Sequence, residues 1–534
     1  MDPPWDWLRA EAPGAGRVDG FAIPNALYAV WLAAGASIQK QFRLEHDEGA
    51  AAFVAWWIQE GATEYPAAAA DVMPQMLTWL LEPVANERGN ASEHLTRLLV
   101  FIYRSRPDLQ RAFDLNVPEG CAGLVDWWRN HGTQEYSHVV AGKGPAAGRD
   151  RIGESDVSPA DGNRADGVNL VGMAFGELGI GEDVRMAAQA AAATGVPFVI
   201  VNFPKRIATR SHDLSAATSV AERPIYAYNL VCLTGFDTLR AYAELGRSLF
   251  DQRYTVGCWP WELPQWPREA ATAFHLVDEV WASTQYTMRA YAAATTKPVQ
   301  WMPMAVSVDR MQPLARSALG LPEERFLFLF AFDANSHFAR KNPIGTIRAF
   351  QTAFPSGNDV GLVIKVMNVE HARSDWQQVL DLVRNDERIF VIAETLNRGQ
   401  TLGLIHSCDA LVSLHRAEGF GRVLAEALLL ERPVIATAFS GNLDFTTLDT
   451  SFLVDGPLVP LADGDYPFGR GQEWCEPDVG MAAEQMRLCY SNPNESSRRA
   501  RAGRALMEMR HNPLAVGLRY LERLRALGLA AEAR

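Results

Sequence analysis

Short apolar runs alternate with longer amphipathic segments from about residue 168 onward, and this alternation constrains the fold more than any other feature of the chain. The first set of runs reads NLVGMAF, PFVIVNF, YNLVCL, YTVGCW, EVWAS and VQWMPMAV. The second set reads FLFLFAFD, GLVIKVMN, IFVIAET, ALVSLH and PVIAT. Apolar strands separated by helix-length segments are typical of parallel, doubly wound sheets. The sequence therefore predicts two Rossmann-like α/β domains facing a cleft, with ligands at the carboxyl ends of the strands.

The region before residue 138 has a different texture. It is rich in Ala and Trp with helical spacing and few β-branched runs, so we expect an all-helical domain. The segment FVAWWIQEGATEY, around Trp56-Trp57, recurs 71 residues later as LVDWWRNHGTQEY, around Trp127-Trp128. This recurrence predicts a duplicated helical unit. The paired Trp residues have two interpretations, core packing and stacking on carbohydrate.

The segment over residues 138–167 is rich in Gly, Ala, Asp and Pro and lacks an apolar period, which is typical of a flexible linker. The predicted organisation is an all-α domain over residues 1–137, the linker, an acceptor-side Rossmann-like domain over 168–312, and a donor-side Rossmann-like domain with C-terminal helices over 313–534.

Composition excludes several classes of protein. The net charge of −13 disfavours a nucleic-acid partner, because neutralising phosphates requires a basic face. The six cysteines are scattered without CxxC pairs, so we expect buried, reduced thiols. The first residues lack a basic segment followed by an apolar run, and the chain has no stretch of about 18 uninterrupted apolar residues. We therefore expect a cytoplasmic protein without a membrane span.

A Gly-rich turn, GELGIGE, follows the first predicted strand and contains Gly179 and Gly181. Glycines allow close backbone approach, and the following helix N-terminus suits an anion. A dinucleotide-binding dehydrogenase would need an acidic residue after the second strand, where this chain has Asn202-Phe203. The turn therefore favours phosphate binding without favouring a dehydrogenase.

Two further motifs follow strands of the second set. Arg340 and Lys341 lie just before a Pro that suits a first helical position, where two cations can neutralise a leaving diphosphate. A solvated basic pair is the alternative interpretation. Glu418 lies in the turn after ALVSLH, and Glu426 lies eight residues later in the predicted helix. Carboxylates accept hydrogen bonds from sugar hydroxyls, and flanking glycines let a ligand reach backbone N–H groups.

With these motifs the chain resembles retaining GT-B glycosyltransferases of family 4, most of all bacterial O-antigen and capsule mannosyltransferase-like enzymes. The matching segments are RKNP (340–343), SLHRAEGFGRVLAEAL (413–428), PVIATAFSGNLDF (433–445), GELGIGE (176–182) and GCWPWELPQWP (257–267).

The resemblance implies a role for each matching position. Glu418 would contact hydroxyls of the donor sugar, and Glu426 would hold the nucleotide ribose. Lys341, with Arg340 beside it, would stabilise the diphosphate. Many relatives carry an Arg where this chain has Ser336. The other implied donor-side residues are Gly179, Gly181, His415, Gly419, Phe420, Gly421, Ser440, Gly441 and Asn442.

His415 has two interpretations, a supporting hydrogen-bonded residue and a donor contact. Trp259, Trp261 and Glu262 would face the acceptor. The Asp463-Gly-Asp465 triplet resembles the metal motif of another glycosyltransferase fold but lies in a Pro- and Gly-rich stretch, so we expect a solvated loop and no metal. The nucleotide sugar is the expected substrate, and no cofactor is expected.

The resemblance implies retaining, metal-independent transfer of a mannose-like hexose from a nucleotide-sugar donor to a glycan or lipid-linked glycan, in cell-surface polysaccharide biosynthesis. A GT-B nucleotide-sugar epimerase and a catalytically silent glycan-binding scaffold are the alternatives. For the helical N-terminal region we expect docking of a partner protein or acceptor recognition. The C-terminal arginines suggest either peripheral contact with anionic lipid on the inner face of the membrane or a solvated helix face. They are Arg498, Arg499, Arg501, Arg504, Arg510, Arg519, Arg523 and Arg525.

Overall fold

The computed structural model describes residues 5–85, 91–140, 164–204 and 210–530. They divide into two compact units. The first comprises Met1–Asn163 with Gly235–Gln252 and Thr272–Leu276, and the second comprises the rest of the chain. Most of the predicted linker, residues 141–163, lies outside the described residues.

The first unit is built mainly from helices. Two short antiparallel hairpins also occur in it, so the prediction of an all-helical region is corrected in this respect. The hairpins pair β1 Arg17–Val18 with β2 Phe21–Ala22, and β3 Pro83–Ala85 with β4 Ala91–Thr96. The helices are α1 Asn25–Ala33, α2 Ala36–Gln41, α3 Asp47–Trp56, α4 Ala62–Glu64, α5 Pro66–Leu80, α6 Arg97–Ser105, α7 Pro107–Ala112, α8 Pro118–Trp127, α9 Thr133–Glu135 and α10 Ser137–Val140.

The sequence repeat coincides with a repeated set of helices. Helices α2, α3 and α4 recur 71 residues later as α7, α8 and α9. A π-helical turn follows α3 at Trp57–Gly61 and follows α8 at Trp128–Gly132. A Cβ at Gly61 would lie 2.7 Å from the Trp57 ring, and one at Gly132 would lie 2.4 Å from the Trp128 ring. Each turn therefore requires its glycine, because the indole packs against the bare backbone.

The second unit contains a seven-stranded parallel sheet, called here the first sheet. Its strand order is β11-β10-β9-β8-β5-β6-β7. The strands are β5 Ala165–Gly172, β6 Phe198–Asn202, β7 Val220–Ala221, β8 Tyr226–Cys232, β9 Tyr254–Gly257, β10 Glu279–Ala282 and β11 Val299–Trp301. The intervening helices are α11 Gly179–Ala193, α12 Gly235–Leu245, which belongs to the first unit and packs on α1 and α5, and α13 Gln285–Ala292.

A six-stranded parallel sheet, the second sheet, has the order β14-β13-β12-β15-β16-β17. Its strands are β12 Phe326–Asp333, β13 Val360–Met367, β14 Ile389–Ile392, β15 Ala410–Ser413, β16 Val434–Thr437 and β17 Phe452–Val454. A hairpin of β18 Leu458–Pro460 and β19 Glu473–Cys475 follows. The helices are α14 Phe338–Lys341, α15 Pro343–Ala353, α16 Arg373–Val383, α17 Arg398–Ser407, α18 Arg422–Leu429, α19 Val479–Ser491, α20 Pro493–Arg510 and α21 Pro513–Ala526.

Each face of the second sheet is covered, which explains the continuous apolar runs. In β12, Phe328 and Phe330 enter one core cluster, whereas Leu327 and Leu329 enter the cluster on the other face. The last helix, α21, packs on α11 and joins the core of the first sheet, although the predicted boundaries assign it to the domain of the second sheet.

The six cysteines all lie in the described ranges and are free thiols, five of them buried. Among the described residues, no helix combines the length and the apolar character needed to cross a bilayer.

Candidate functional site

The site is built at the carboxyl edge of the second sheet. Strands β12 and β15 are neighbours in this sheet, so the chain segments that follow them lie at the same edge. The segment after β12 carries Arg340 and Lys341, and the segment after β15 carries Glu418. The topology therefore brings these three predicted residues together from positions 77 residues apart in sequence.

Glu418 forms two ion pairs through the same oxygen. Its Oε1 pairs with Lys341 Nζ and lies 3.2 Å from Arg340 Nη1. Burial would raise the pKa of the Glu418 carboxyl, but the Lys341 and Arg340 charges outweigh burial and lower that pKa to about 2. Burial lowers the pKa of the Lys341 amine, although Glu418 opposes this effect. The carboxylate is therefore ionised, and the two cations are concentrated at one point.

The short helix α14 is held between two non-glycine residues with left-handed backbone conformation. His337 has φ 63° and Asn342 has φ 54°. The Asn342 side chain accepts a hydrogen bond from the Gly345 amide at 3.1 Å and donates one to the Leu414 carbonyl at 3.0 Å. These bonds tie the start of α15 to the end of β15. Such conformations concentrate at functional sites when surrounding contacts hold them in place.

The loop after β16 supports the Glu418 turn. The Ser440 hydroxyl accepts a hydrogen bond from the Glu418 amide at 2.8 Å, and the Gly441 amide donates to the Glu418 carbonyl at 2.8 Å. A Cβ at Gly441 would lie 1.9 Å from the Gly419 carbonyl oxygen. The loop can approach this closely only because position 441 is glycine, which accounts for the Ser-Gly pair in the sequence.

His415 and Asn442 lie beneath this turn, and both are fully buried. His415 Nδ1 is 3.0 Å from Ser413 Oγ, and His415 Nε2 is 3.0 Å from Asn442 Oδ1. Burial is the main cause that lowers the pKa of His415 to about 4, so the ring is neutral at pH 7. Both ring nitrogens are occupied, which favours the supporting role for His415.

The Gly-Phe-Gly turn has separate functions at its three positions. Gly419 accepts a hydrogen bond from the Thr284 hydroxyl at 2.9 Å, which joins the regions of the two sheets. Phe420 packs on Phe445 and His511, so its ring belongs to the core, and a contact of Phe420 with the donor stays a prediction. Gly421 has φ 94° and precedes the first residue of α18.

Glu426 lies on α18 and is 2% exposed. Its Oε1 is 2.7 Å from Arg398 Nη1. Burial raises the pKa of the Glu426 carboxyl even though Arg398 and Arg422 oppose this effect. Arg398 was not identified from the sequence, because an arginine at the start of a helix carries no pattern that points to a distant carboxylate.

The Gly-rich turn after β5 faces this part of the site. A Cβ at Gly181 would lie 2.2 Å from the Gly176 carbonyl oxygen, whereas one at Gly179 would meet open space. The next two residues after Gly181 are acidic and pair with arginines of the second sheet region. Glu182 lies 3.3 Å from Arg398, and Asp183 pairs with Arg422.

Two of the three residues expected to face the acceptor are buried. Trp259 is 1% and Trp261 is 4% exposed. Trp259 stacks on Trp266 with ring centroids 5.3 Å apart, and Trp261 meets Trp266 edge-on at 5.2 Å. Both rings thus belong to an aromatic cluster with Trp266, and their contact with an acceptor stays a prediction.

The third residue, Glu262, does reach the cation pair. Its Oε1 lies 3.7 Å from Arg340 Nη2, and its other oxygen accepts a hydrogen bond from the Tyr466 hydroxyl. The Tyr466 ring is 4.6 Å from His337 and 5.6 Å from Trp261. Tyr466 was missed from the sequence, because one aromatic in a Pro- and Gly-rich loop gives no signal.

Ser336 and Asp465 take part in hydrogen bonds that involve a backbone group. Ser336 contributes its backbone carbonyl, which accepts a hydrogen bond from Arg340 Nε at 3.2 Å. Asp465 accepts a hydrogen bond from the Ala462 amide at 2.9 Å, which closes a local turn. Among the described residues, no group of three or more His, Cys, Asp or Glu side chains is arranged to hold a metal ion.

Four of the C-terminal arginines form ion pairs with the carboxylates of nearby residues. Arg498 and Arg499 pair with Glu495, Arg504 pairs with Glu431 and Glu508, and Arg523 pairs with Glu279. These four charges are thus partly neutralised within the protein.

No protein-family model matches this chain. No curated protein matches it in sequence. Among solved structures it is similar to HepE of Anabaena in complex with UDP and glucose, with a TM-score of 0.50, 14% identity, and coverage of 68% of this chain and 100% of that chain. It is also similar to sucrose-phosphate synthase of Thermosynechococcus elongatus, with a TM-score of 0.51, 15% identity, and coverage of 69% of this chain and 100% of that chain. The two parallel sheets of the second unit therefore form a GT-B fold.

Proposed function

We propose that the protein is a glycosyltransferase that moves a sugar from a nucleotide-sugar donor to a glycan acceptor. The observation that carries this proposal is the convergence of Glu418, Lys341 and Arg340 at the carboxyl edge of the second sheet. A departing nucleoside diphosphate needs cations, and a sugar needs hydrogen-bond acceptors beside them. Lys341 and Arg340 supply the first requirement, and Glu418 supplies the second.

In this proposal the donor lies across the carboxyl ends of β12, β15 and β16. Lys341 and Arg340 stabilise the diphosphate as the bond to the sugar breaks, and Glu418 orients the sugar through its hydroxyls. Glu426 receives the ribose. Glu262, beside Arg340, lies on the side from which an acceptor would approach. Family 4 membership, retention at the anomeric carbon, metal independence and a role in cell-surface polysaccharide synthesis belong to the proposal through the resemblance of the motifs.

The donor sugar and nucleotide define the first test. HepE was solved with UDP and glucose, and the motifs resemble mannosyltransferase-like enzymes, so UDP-glucose and GDP-mannose are the first donors to assay. We expect one nucleotide sugar to raise the melting temperature and to be hydrolysed slowly without acceptor. Release of an epimerised nucleotide sugar would favour the epimerase, and binding without turnover would favour the glycan-binding scaffold.

The site residues define the second test. Glu418→Ala and Lys341→Ala should each lower donor turnover by about 10²–10³-fold, because each removes a charged group at the reacting end of the donor. Glu431→Ala is the matched control, since Glu431 pairs with Arg504 on the surface. Near-normal turnover by both site variants would refute the assignment.

Two parts of the proposal concern the acceptor. A lipid-linked acceptor would place the protein on the inner face of the membrane, where C-terminal arginines such as Arg501 and Arg510 would contact anionic lipid. The repeated helical unit would bind the acceptor or a partner protein. Unchanged liposome co-sedimentation after Arg501→Gln and Arg510→Gln would contradict the lipid contact.

A further inference from the structure

A network of buried ion pairs connects the regions of the two sheets. It is called here the cleft charge network. Its carboxylates are Glu182, Asp183, Asp213 and Glu426, and its arginines are Arg185, Arg310, Arg398 and Arg422. The four negative and four positive charges balance. Burying ions is costly unless each has a partner, so this equality is what allows the network to be buried.

Two of the pairs cross from one sheet region to the other. Arg398, at the start of α17, lies between Glu182 and Glu426, at 3.3 and 2.7 Å. Arg422, the first residue of α18, pairs with Asp183, the fifth residue of α11. The side chains of Arg398, Arg422 and Asp183 are only 14–15% exposed. Both arginines therefore have first-sheet carboxylates as partners.

These pairs lie where the proposed function places the donor. Asp183 is four residues after Gly179, which begins α11, and Arg422 begins α18 directly after Gly421. The N-terminal ends of helices suit a diphosphate. Arg398 contacts the carboxylate proposed to receive the ribose. A diphosphate bound there would add negative charge beside two carboxylates, which is unfavourable in a buried site.

We infer that Arg422 and Arg398 are donor-binding residues, and that Asp183 and Glu182 occupy them in the free protein until the donor diphosphate displaces these carboxylates. This inference rests on the proposed function. Arginine binds phosphate bidentately and strongly, so the diphosphate can compete with a single carboxylate. Arg185 lies 2.9 Å from Glu182 and gives the displaced carboxylate a remaining partner.

Under this inference, removing a charge from the first-sheet side raises the affinity for the nucleotide, whereas removing a charge from the second-sheet side lowers it. Asp183→Asn and Glu182→Gln remove a competing anion while keeping the shape of the side chain. Each should tighten binding of UDP, or of GDP if the protein prefers it, by about tenfold in isothermal titration calorimetry. Arg422→Gln should weaken binding of the same nucleotide by about tenfold or more.

Glu177→Gln is the matched control. Glu177 lies in the same Gly-rich turn and is paired with Arg210 at 2.5 Å, outside the cleft charge network. The Glu177→Gln substitution removes the same charge from the same turn. The affinity of this variant for the nucleotide should stay within about twofold of that of the unmodified protein. If Glu177→Gln bound the nucleotide as much more tightly as Asp183→Asn and Glu182→Gln do, the effect would come from net charge alone. That result would overturn the inference.

Melting curves identify variants that fail to fold, and either carboxylate variant alone suffices for the test. Unchanged or weaker nucleotide binding in the folded carboxylate variants would overturn the inference while leaving the proposed function intact. Failure of the unmodified protein to bind UDP, GDP or ADP would overturn both.

Discussion

The first-sheet side of the cleft presents carboxylates, whereas the second-sheet side presents cations to them. Glu182, Asp183 and Glu262 come from the first sheet region. Their partners in the second sheet region are Arg398, Arg422 and Arg340. The difference supports the proposal that the second-sheet side holds the diphosphate of the donor. The second side has its cations fixed by strand ends and helix starts, and the first side neutralises them when the site is empty.

The second side also has the tighter construction. The Glu418 turn is held by Ser440 and by the Gly441 amide, and its carboxylate is held by two cations. On the first-sheet side, Gly179 opens α11 and is exposed. A Cβ at Gly179 would have no neighbouring atom within 4 Å. We expect substitutions on the second side to cost more stability than equivalent ones on the first.

The largest expected effect is at Arg340. Arg340→Met leaves Glu418 and Glu262 without one of their cations and leaves the Ala417 carbonyl without its 2.8 Å donor. Removing one partner of a buried pair should lower the free energy of unfolding by about 3–5 kcal/mol. Arg504→Met, at an exposed pair, is the control and should cost about 0–1 kcal/mol. Urea denaturation measures both, and equal losses would contradict the distinction between the two sites.

A second effect concerns pH. Because the pKa of Glu418 is lowered to about 2, its ion pairs stabilise the fold above the pKa of the unfolded chain and are lost as pH falls through the folded pKa. The unmodified protein should therefore lose about 3 kcal/mol more than Glu418→Gln between about pH 5 and pH 2.

Glu495→Gln is the control for this pH effect. Its carboxylate also has a pKa lowered to about 2, through hydrogen bonds from Arg498 and Arg499, but it lies on the surface, where solvent and salt screen its charge. The difference from the unmodified protein should be clearly smaller for Glu495→Gln. Chemical denaturation at a series of pH values measures it, and identical acid sensitivity of the unmodified protein and Glu418→Gln would contradict the prediction.

The smallest expected effect is the difference in stability between substitutions at Gly441, on the second-sheet side, and at Gly179, on the first-sheet side. Gly441→Ala forces the loop away from the Gly419 carbonyl and should cost about 1–3 kcal/mol. Gly179→Ala meets open space and should change stability by less than about 1 kcal/mol. Melting temperatures measure both variants. A larger loss at Gly179 would reverse the proposed order of the two sides.

Much of the fold could be predicted from local patterns. Each of the eleven apolar runs contains a strand of a parallel sheet, and the repeat around Trp57 and Trp128 returned the same elements twice. Strands β7 and β17 were not predicted, because they have two and three residues and lie at sheet edges. The two hairpins of the first unit were also missed, because three of their four strands have only two or three residues.

The site was predictable only where the signal is local. The segments carrying Lys341, Glu418 and Ser440 each combine a strand end, a turn and a helix start, and the structure brings them together. Arg398, Arg422 and Tyr466 were missed, because their partners Glu182, Asp183 and Glu262 lie 216, 239 and 204 positions away and come from the other sheet region. The packing of Phe420, Trp259 and Trp261 against other aromatic rings could not be predicted, because burial cannot be read from one aromatic residue in a turn.

The central claim is that the second sheet holds the diphosphate of a nucleotide-sugar donor. A crystal structure of the protein with bound UDP tests it most directly. The account predicts the diphosphate at the carboxyl ends of β12 and β15, within hydrogen-bond distance of Lys341 Nζ. A diphosphate that contacts neither Lys341 nor Arg340 would contradict it.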